Sequence, residues 1–300
     1  MLTVAVLGRV VVRRDGVAAA VPTGRTTELL VRLALEGGRP VRPQRLAEDI
    51  WPGGARPNTL QVKVSQLRRA LGGPAAVPAG PAGYALVADA VDALDAARLA
   101  AEGAARLAEG DPDGAATTCR AGLQLFDTEI LPAAGDGDWV TPHRVRLTEV
   151  RLRLTEDELA ARLALGAAGE LVGELEALVA EHPLREGLWA LLVTALYRAG
   201  RPADALAAHR RVTRMLAVEL GVDPGPALAD LAHQVLVHDP ALGGPPRGNL
   251  PAATSALVGR AAELAAVRQA LDAHRLVTLV GPTGVGKTRL ALEAARGRPA

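Results

Sequence analysis

The 300-residue chain predicts a mainly α fold in three parts: a small α+β head, an all-α body and the opening of an α/β unit. Three observations carry that reading. Strand-like patterning is confined to the first 88 residues and a short apolar, β-branched run near the C-terminus. Most of the sequence between them is helix-periodic and rich in Ala, Leu, Glu and Arg. Charge divides the same way under a formal net charge of only +1. Residues 1–88 hold 12 Lys/Arg against 5 Asp/Glu, a net +7; residues 89–240 hold 14 against 25, a net −11; residues 241–300 hold 8 against 3, a net +5. A basic head on an acidic body suggests DNA at one end and a different partner at the other.

Residues 2–12 and 17–21 read as strands joined by the turn Arg14-Asp15-Gly16. A first helix is expected over Thr26–Glu36, with Leu29, Leu30, Leu33 and Ala34 on one face and Gly37-Gly38 as its stop. A second follows Pro43 and ends at Trp51-Pro52. A third runs from Asn58 to Gly72-Gly73, and Val77-Pro78 with residues 83–87 read as a closing hairpin. Strands, three helices and a hairpin within 88 residues is the order of a winged helix-turn-helix. From residue 89 to 240 the breakers Gly110-Asp111-Pro112, Gly135-Asp136-Gly137, Gly166, His182-Pro183, Gly200-Arg201-Pro202 and Asp223-Pro224 separate helices of about 12–25 residues. Trp189, Leu192, Leu196 and Ala205 partly match a tetratricopeptide repeat. Residues 241–256 read as a Pro/Gly-rich linker before a third segment, 257–300.

The third helix is the candidate DNA-reading element. At 100° per residue, Leu60, Val64, Leu67 and Leu71 share one face, and Val62, Ser65, Gln66 and Arg69 lie opposite, with Gln61, Lys63 and Arg68 on the flanks. An apolar side seated in a core and a polar, cationic outer side suit a major-groove helix, where Arg reads guanine and Gln reads adenine. Asn58 is expected to cap it through its side chain. Arg25, Arg56 and the hairpin are expected to meet phosphates.

The run Asn58-Thr59-Leu60-Gln61, Val64-Ser65, Leu67-Arg68-Arg69-Ala70-Leu71, then Gly83-Tyr84, resembles the Streptomyces antibiotic regulatory protein family. Leu220-Gly221-Val222-Asp223-Pro224-Gly225-Pro226-Ala227-Leu228 is similar to the hallmark of that family's bacterial transcriptional activation domain. The resemblance covers about residues 1–240. It implies an OmpR-like winged helix over residues 1–88, bound as a homodimer or pair to direct repeats in double-stranded promoter DNA. It also implies a tetratricopeptide-like activation domain over 89–240, contacts with RNA polymerase and its sigma factor, and control of a secondary-metabolite gene cluster. The DNA-facing set it suggests is Arg25, Arg56, Thr59, Gln61, Val62, Lys63, Ser65, Gln66, Arg68, Arg69, Gly83 and Tyr84, with Trp51–Arg56 matching the transactivation loop. Pro57 departs from the family pattern.

Residues 276–280 (LVTLV) read as a buried strand, and Gly281-Pro282-Thr283-Gly284-Val285-Gly286-Lys287-Thr288 follows as a GxxxxGK[ST] loop opening a helix. Such a loop turns backbone N–H groups onto phosphates, its Lys adds a cation, and Thr288 is the expected Mg²⁺ ligand. Leu257-Val258-Gly259-Arg260 with Glu263 is similar to the start of NB-ARC-type signalling ATPases, which implies that Val258 and Arg260 lie against the base. The chain ends twelve residues after Thr288, so the segment reads as a truncated P-loop domain. The expectation is no ATP hydrolysis and no cofactor required by this chain, with ATP or ADP and Mg²⁺ serving a longer parent.

The remaining features exclude more than they suggest. A single cysteine, Cys119, precludes an internal disulfide and suits a reducing cytoplasm. No run reaches the roughly 18–20 apolar residues of a membrane span, and the alternating N-terminus is not a signal peptide; the expected setting is cytoplasmic, at the nucleoid, with no membrane partner. The six histidines are scattered without metal-site spacing, and no catalytic constellation emerges. Two alternatives compete with a promoter-binding activator: an ATP-dependent signalling switch, and a tetratricopeptide-like adaptor that never touches DNA.

Overall fold

The early alternation produces three short antiparallel strands, β1 (Leu2–Ala5), β2 (Val11–Arg14) and β3 (Val17–Ala19), with Leu2 opposite Arg14 and Val12 opposite Ala19. The computed structural model describes residues 1–54, 56–243, 259–274, 276–282 and 284–295. The single strand expected over 2–12 is thus two. The backbone N–H groups of Val6 and Leu7 leave the ladder to donate to the Asp92 carboxylate at 2.8–3.0 Å, which turns the chain before β2. Asp15 and Gly16 both adopt positive φ (50° and 82°), as a tight two-residue hairpin requires.

Three helices follow: α1 (Arg25–Ala34), α2 (Pro43–Ile50) and α3 (Thr59–Leu71). The strands β4 (Ala79–Gly80) and β5 (Gly83–Tyr84) form the hairpin behind them. Pro43 occupies the first turn of α2, where its missing N–H leaves no partner wanting. Gly72 closes α3 in the left-handed conformation, φ 94°.

β6 (Ala90–Val91) then joins β1 in parallel, completing the sheet order β3-β2-β1-β6. Seven helices succeed it: α4 (Asp92–Ala108), α5 (Pro112–Leu123), α6 (Thr141–Ala164), α7 (Ala168–Glu181), α8 (Glu186–Arg198), α9 (Pro202–Glu219) and α10 (Pro226–Leu236). Each gap between them holds one of the expected breakers. Asp111 caps α5 by accepting the Gly114 N–H at 2.9 Å. Neighbouring helices pack together, α4 on α5, α5 on α6, α7 on α8 and α8 on α9.

The expected division at residue 88 is not a division of the core. Leu2, Val4, Leu29, Leu67, Val91, Ala96, Leu131, Trp139 and Leu147 belong to one buried cluster, and Met1–Val237 forms a single unit. The reason is local. Asp89 accepts the N–H of Leu2, Asp92 accepts those of Val6 and Leu7, and the Leu131 N–H donates to the Leu7 carbonyl. The start of the helical part therefore finishes the N-terminal sheet.

His238–Ala300 forms the second unit. Within it α11 (Ala261–Ala273) packs on α12 (Lys287–Ala295), burying Leu290 and Ala294. The buried strand expected over 276–280 does not form, and Leu276 and Val280 are 84% and 91% exposed. A strand needs a neighbour to take its N–H and C=O groups, and the described residues of this unit supply none. Most of the expected linker, together with Val258, lies outside the described residues, as does Thr283. No helix among the described residues is long and apolar enough to cross a membrane.

Candidate nucleic-acid interface

Helix α3 takes its orientation from its leucines. Leu60, Val64, Leu67 and Leu71 are all buried, Leu67 completely, and each such side chain stabilises the seating by about 1.5–3 kcal/mol. Opposite them Val62, Ser65 and Arg69 are exposed, as is Gln61 on the flank, with Val62 53% exposed despite its apolar side chain. Arg56 is exposed just before the helix, Thr59 is half-buried, and Arg25 at the start of α1 pairs with Glu28 at 2.6 Å.

Other expected contacts are held inside the protein. The Gln66 side-chain oxygen accepts from Thr26 Oγ1 at 3.1 Å and from Lys63 Nζ at 3.2 Å, tying α3 to α1. Arg68 donates through Nε to the Val77 carbonyl at 2.8 Å and lies over the Tyr84 ring at 5.9 Å, so it fastens α3 to the hairpin. Gly83, expected on the DNA side, is buried at φ 124°, and a Cβ there would stand 2.0 Å from the Val41 carbonyl oxygen. Gly83 is what lets Tyr84 exchange backbone hydrogen bonds with Val41 at 3.0 and 2.8 Å. The expected side-chain cap of Asn58 is also absent: Asn58 sits at φ 66°, ψ 2°, with no side-chain hydrogen bond into the helix. Asn tolerates that left-handed region better than most residues.

Behind α3 lies a polar joint that the sequence did not flag. Arg32 of α1 is buried and donates to Asp49 of α2 at 2.8 Å, pairs with Glu36, and lies 5.6 Å from the Trp139 ring centroid. His143 of α6 meets Trp139 edge-on at 6.1 Å. Burial, then the Arg32 charge, holds the His143 imidazole below its ordinary pKa of 6.5. These groups border a cleft of about 420 Å³ beside Pro52, which follows α2. An Arg on the apolar side of α1 and one of only three tryptophans were the available signals.

The second unit holds the glycine-rich loop. Gly284 and Gly286 take positive φ (81° and 86°), and Lys287 opens α12 with Nζ donating to the Gly281 and Pro282 carbonyls at 2.8 Å. Arg260 immediately precedes α11. Glycines in that conformation at a helix N-terminus, with an ammonium folded back over the loop, fit a phosphate cradle.

Comparison with known proteins decides the family. The family model of the bacterial transcriptional activator domain matches residues 91–236. Regulatory protein DnrI of Streptomyces peucetius is 32% identical over 79% of this chain and 92% of its own length. The chain belongs to the Streptomyces antibiotic regulatory protein family of transcriptional activators. Regulatory protein AfsR of Streptomyces coelicolor is 38% identical over 97% of this chain, which spans only 32% of AfsR. The solved structure of Mycobacterium tuberculosis EmbR, in complex with a low-affinity phosphopeptide, matches 79% of this chain and 65% of that one, with 30% identity and TM-score 0.71. The family's hallmark segment has a structural cause here. Leu220–Gly225 turns α9 into α10, the Gly225 N–H donates to Glu186 at 2.7 Å, Leu228 is buried, and the Leu228 carbonyl meets His209 Nε2 at 2.9 Å.

Proposed function

We propose that this antibiotic regulatory family member activates transcription by seating α3 in the major groove of double-stranded promoter DNA. The observation that carries the proposal is the outer face of α3. Val62, Ser65 and Arg69 stand exposed opposite an anchored apolar row, with Gln61 exposed on the flank. Residues 1–88 act as a winged helix, the β4–β5 hairpin serving as its wing. Arg25, Arg56 and Lys63 flank the reading face and meet phosphates, which fix register without reading sequence. Arg68, Gln66, Gly83 and Tyr84 support the element from within.

Two copies bind adjacent direct repeats. The residue 51–56 segment, whose Pro52 borders the cleft at Arg32, Asp49 and Trp139, and the acidic helical part face RNA polymerase and its sigma factor, and a secondary-metabolite cluster is the regulated target. In the second unit, Gly281–Thr288 hold the phosphates of ATP or ADP, with Lys287 supplying charge and Thr288 a Mg²⁺ ligand. The nucleotide is a regulatory ligand in this reading, and no reaction is assigned to the chain.

Titration of fluorescent duplexes from the chain's own promoter region over 50–300 mM salt tests the proposal. Affinity should fall steeply with salt, because phosphate contacts release counterions. Binding that is undetectable, or indifferent to salt, would remove α3 from the groove.

A further inference from the structure

Val62 is the one large apolar side chain exposed on α3; single exposed valines such as Val145 on α6 and Val218 on α9 are ordinary, and what distinguishes Val62 is its place on the outer face of α3. Val62 lies diametrically opposite the buried row of Leu60, Val64, Leu67 and Leu71, and 53% of it is exposed. At 100° per residue, Arg69 and Ser65 lie within about 60° of it, so the three form one stripe along the outer face. A β-branched residue gains nothing in the middle of a solvated helix, and more than half of this one is open to solvent. Its side chain is short, so whatever it touches must approach the helix backbone closely. The polar members of the stripe suit hydrogen-bonding base edges; a branched apolar group suits none of them. The one apolar group that the major groove offers is the thymine 5-methyl.

We infer that Val62 reads the 5-methyl group of a thymine, making a thymine next to the base contacts of Ser65 and Arg69 a fixed letter of each repeat. The inference rests on the proposed seating of α3 in the groove, and adds to it the base feature that the helix discriminates. Val62 determines specificity through an apolar contact, and Arg69 supplies the flanking hydrogen bonds. Ser65 is small enough to let Val62 approach the base pair.

The test uses the whole chain and duplexes recovered by selection from a randomised pool. Each thymine of the selected site is replaced in turn by deoxyuridine, which removes only the methyl. Wild type should lose about fourfold in affinity at one thymine per repeat, the size expected for burying one methyl-sized group. Val62→Ala should select the same repeats with that one thymine relaxed and bind the thymine and deoxyuridine duplexes equally, and Val62→Thr, which keeps one methyl, should retain part of the discrimination. Wild type that binds every deoxyuridine duplex as tightly as its parent would overturn the inference while leaving the α3 interface standing. Val62→Ala that keeps the full methyl preference would do the same by moving it to another residue. Failure to select any duplex would instead defeat the groove reading beneath it.

Discussion

Arg69 and Arg68 are adjacent in sequence yet take opposite roles, because one step of the helix turns a side chain by about 100°. Arg69 is exposed, whereas Arg68 is committed to Val77 and Tyr84. Arg69→Ala should weaken operator binding by about 1–3 kcal/mol and relax preference at one base pair, with the melting temperature unchanged. Arg68→Ala should instead lower thermal stability by about 1 kcal/mol. Parallel anisotropy titrations and melts of the two variants separate these outcomes; an equal loss of affinity without any loss of stability would return Arg68 to the reading face. Cys119 offers a second check. It is fully buried against Gly103, and burial pushes its thiol up to about 11. A thiol reagent at pH 8 should leave it unmodified until the protein unfolds, and rapid labelling of the native chain would contradict its packing.

Elements were legible where periodicity is strong. The three helices of the head and the helices of the body follow from apolar spacing and from breakers such as Gly110-Asp111-Pro112, and each breaker falls in a gap between helices. The outer face of α3 was equally legible, since Leu60, Val64, Leu67 and Leu71 alone orient it. What escaped the sequence depends on partners distant along the chain. Asp92 draws the N–H groups of Val6 and Leu7 out of the strand, Thr26 occupies Gln66, and Val77 occupies Arg68. The joint of α1, α2 and α6 is another such case. Removing the Asp49 carboxylate by Asp49→Ala leaves buried Arg32 with Glu36 as its remaining acidic partner, a loss of one charged hydrogen bond that costs about 1.5–3 kcal/mol and is measurable by denaturant unfolding. His143 adds a pH dependence. Its folded-state pKa is lowered, so as pH falls through about 6.5 the unfolded chain takes up a proton that the folded protein resists. Stability should therefore decline on acidification from pH 7.5 until the lowered pKa is passed, and His143→Gln should flatten that part of the profile. A profile identical in the variant would locate the dependence elsewhere.

At the scale of the first unit, the core shared by residues 2–147 means that the part bearing α1–α3 and the start of the helical part fold together. Calorimetry of residues 1–237 should show one transition in place of two, whereas separated pieces 1–90 and 91–237 would each expose core surface and melt lower or aggregate. Such coupling gives the α3 face a fixed orientation relative to the acidic helices, which an activator needs if it is to hold promoter and polymerase at once. Guanine-N7 methylation interference on the selected duplex addresses the central claim most directly, because N7 lies in the major groove where α3 is placed. The account predicts that methylation at a guanine in each repeat blocks binding, and that Arg69→Ala abolishes the block at that guanine. Binding that is indifferent to N7 methylation throughout the site would contradict it.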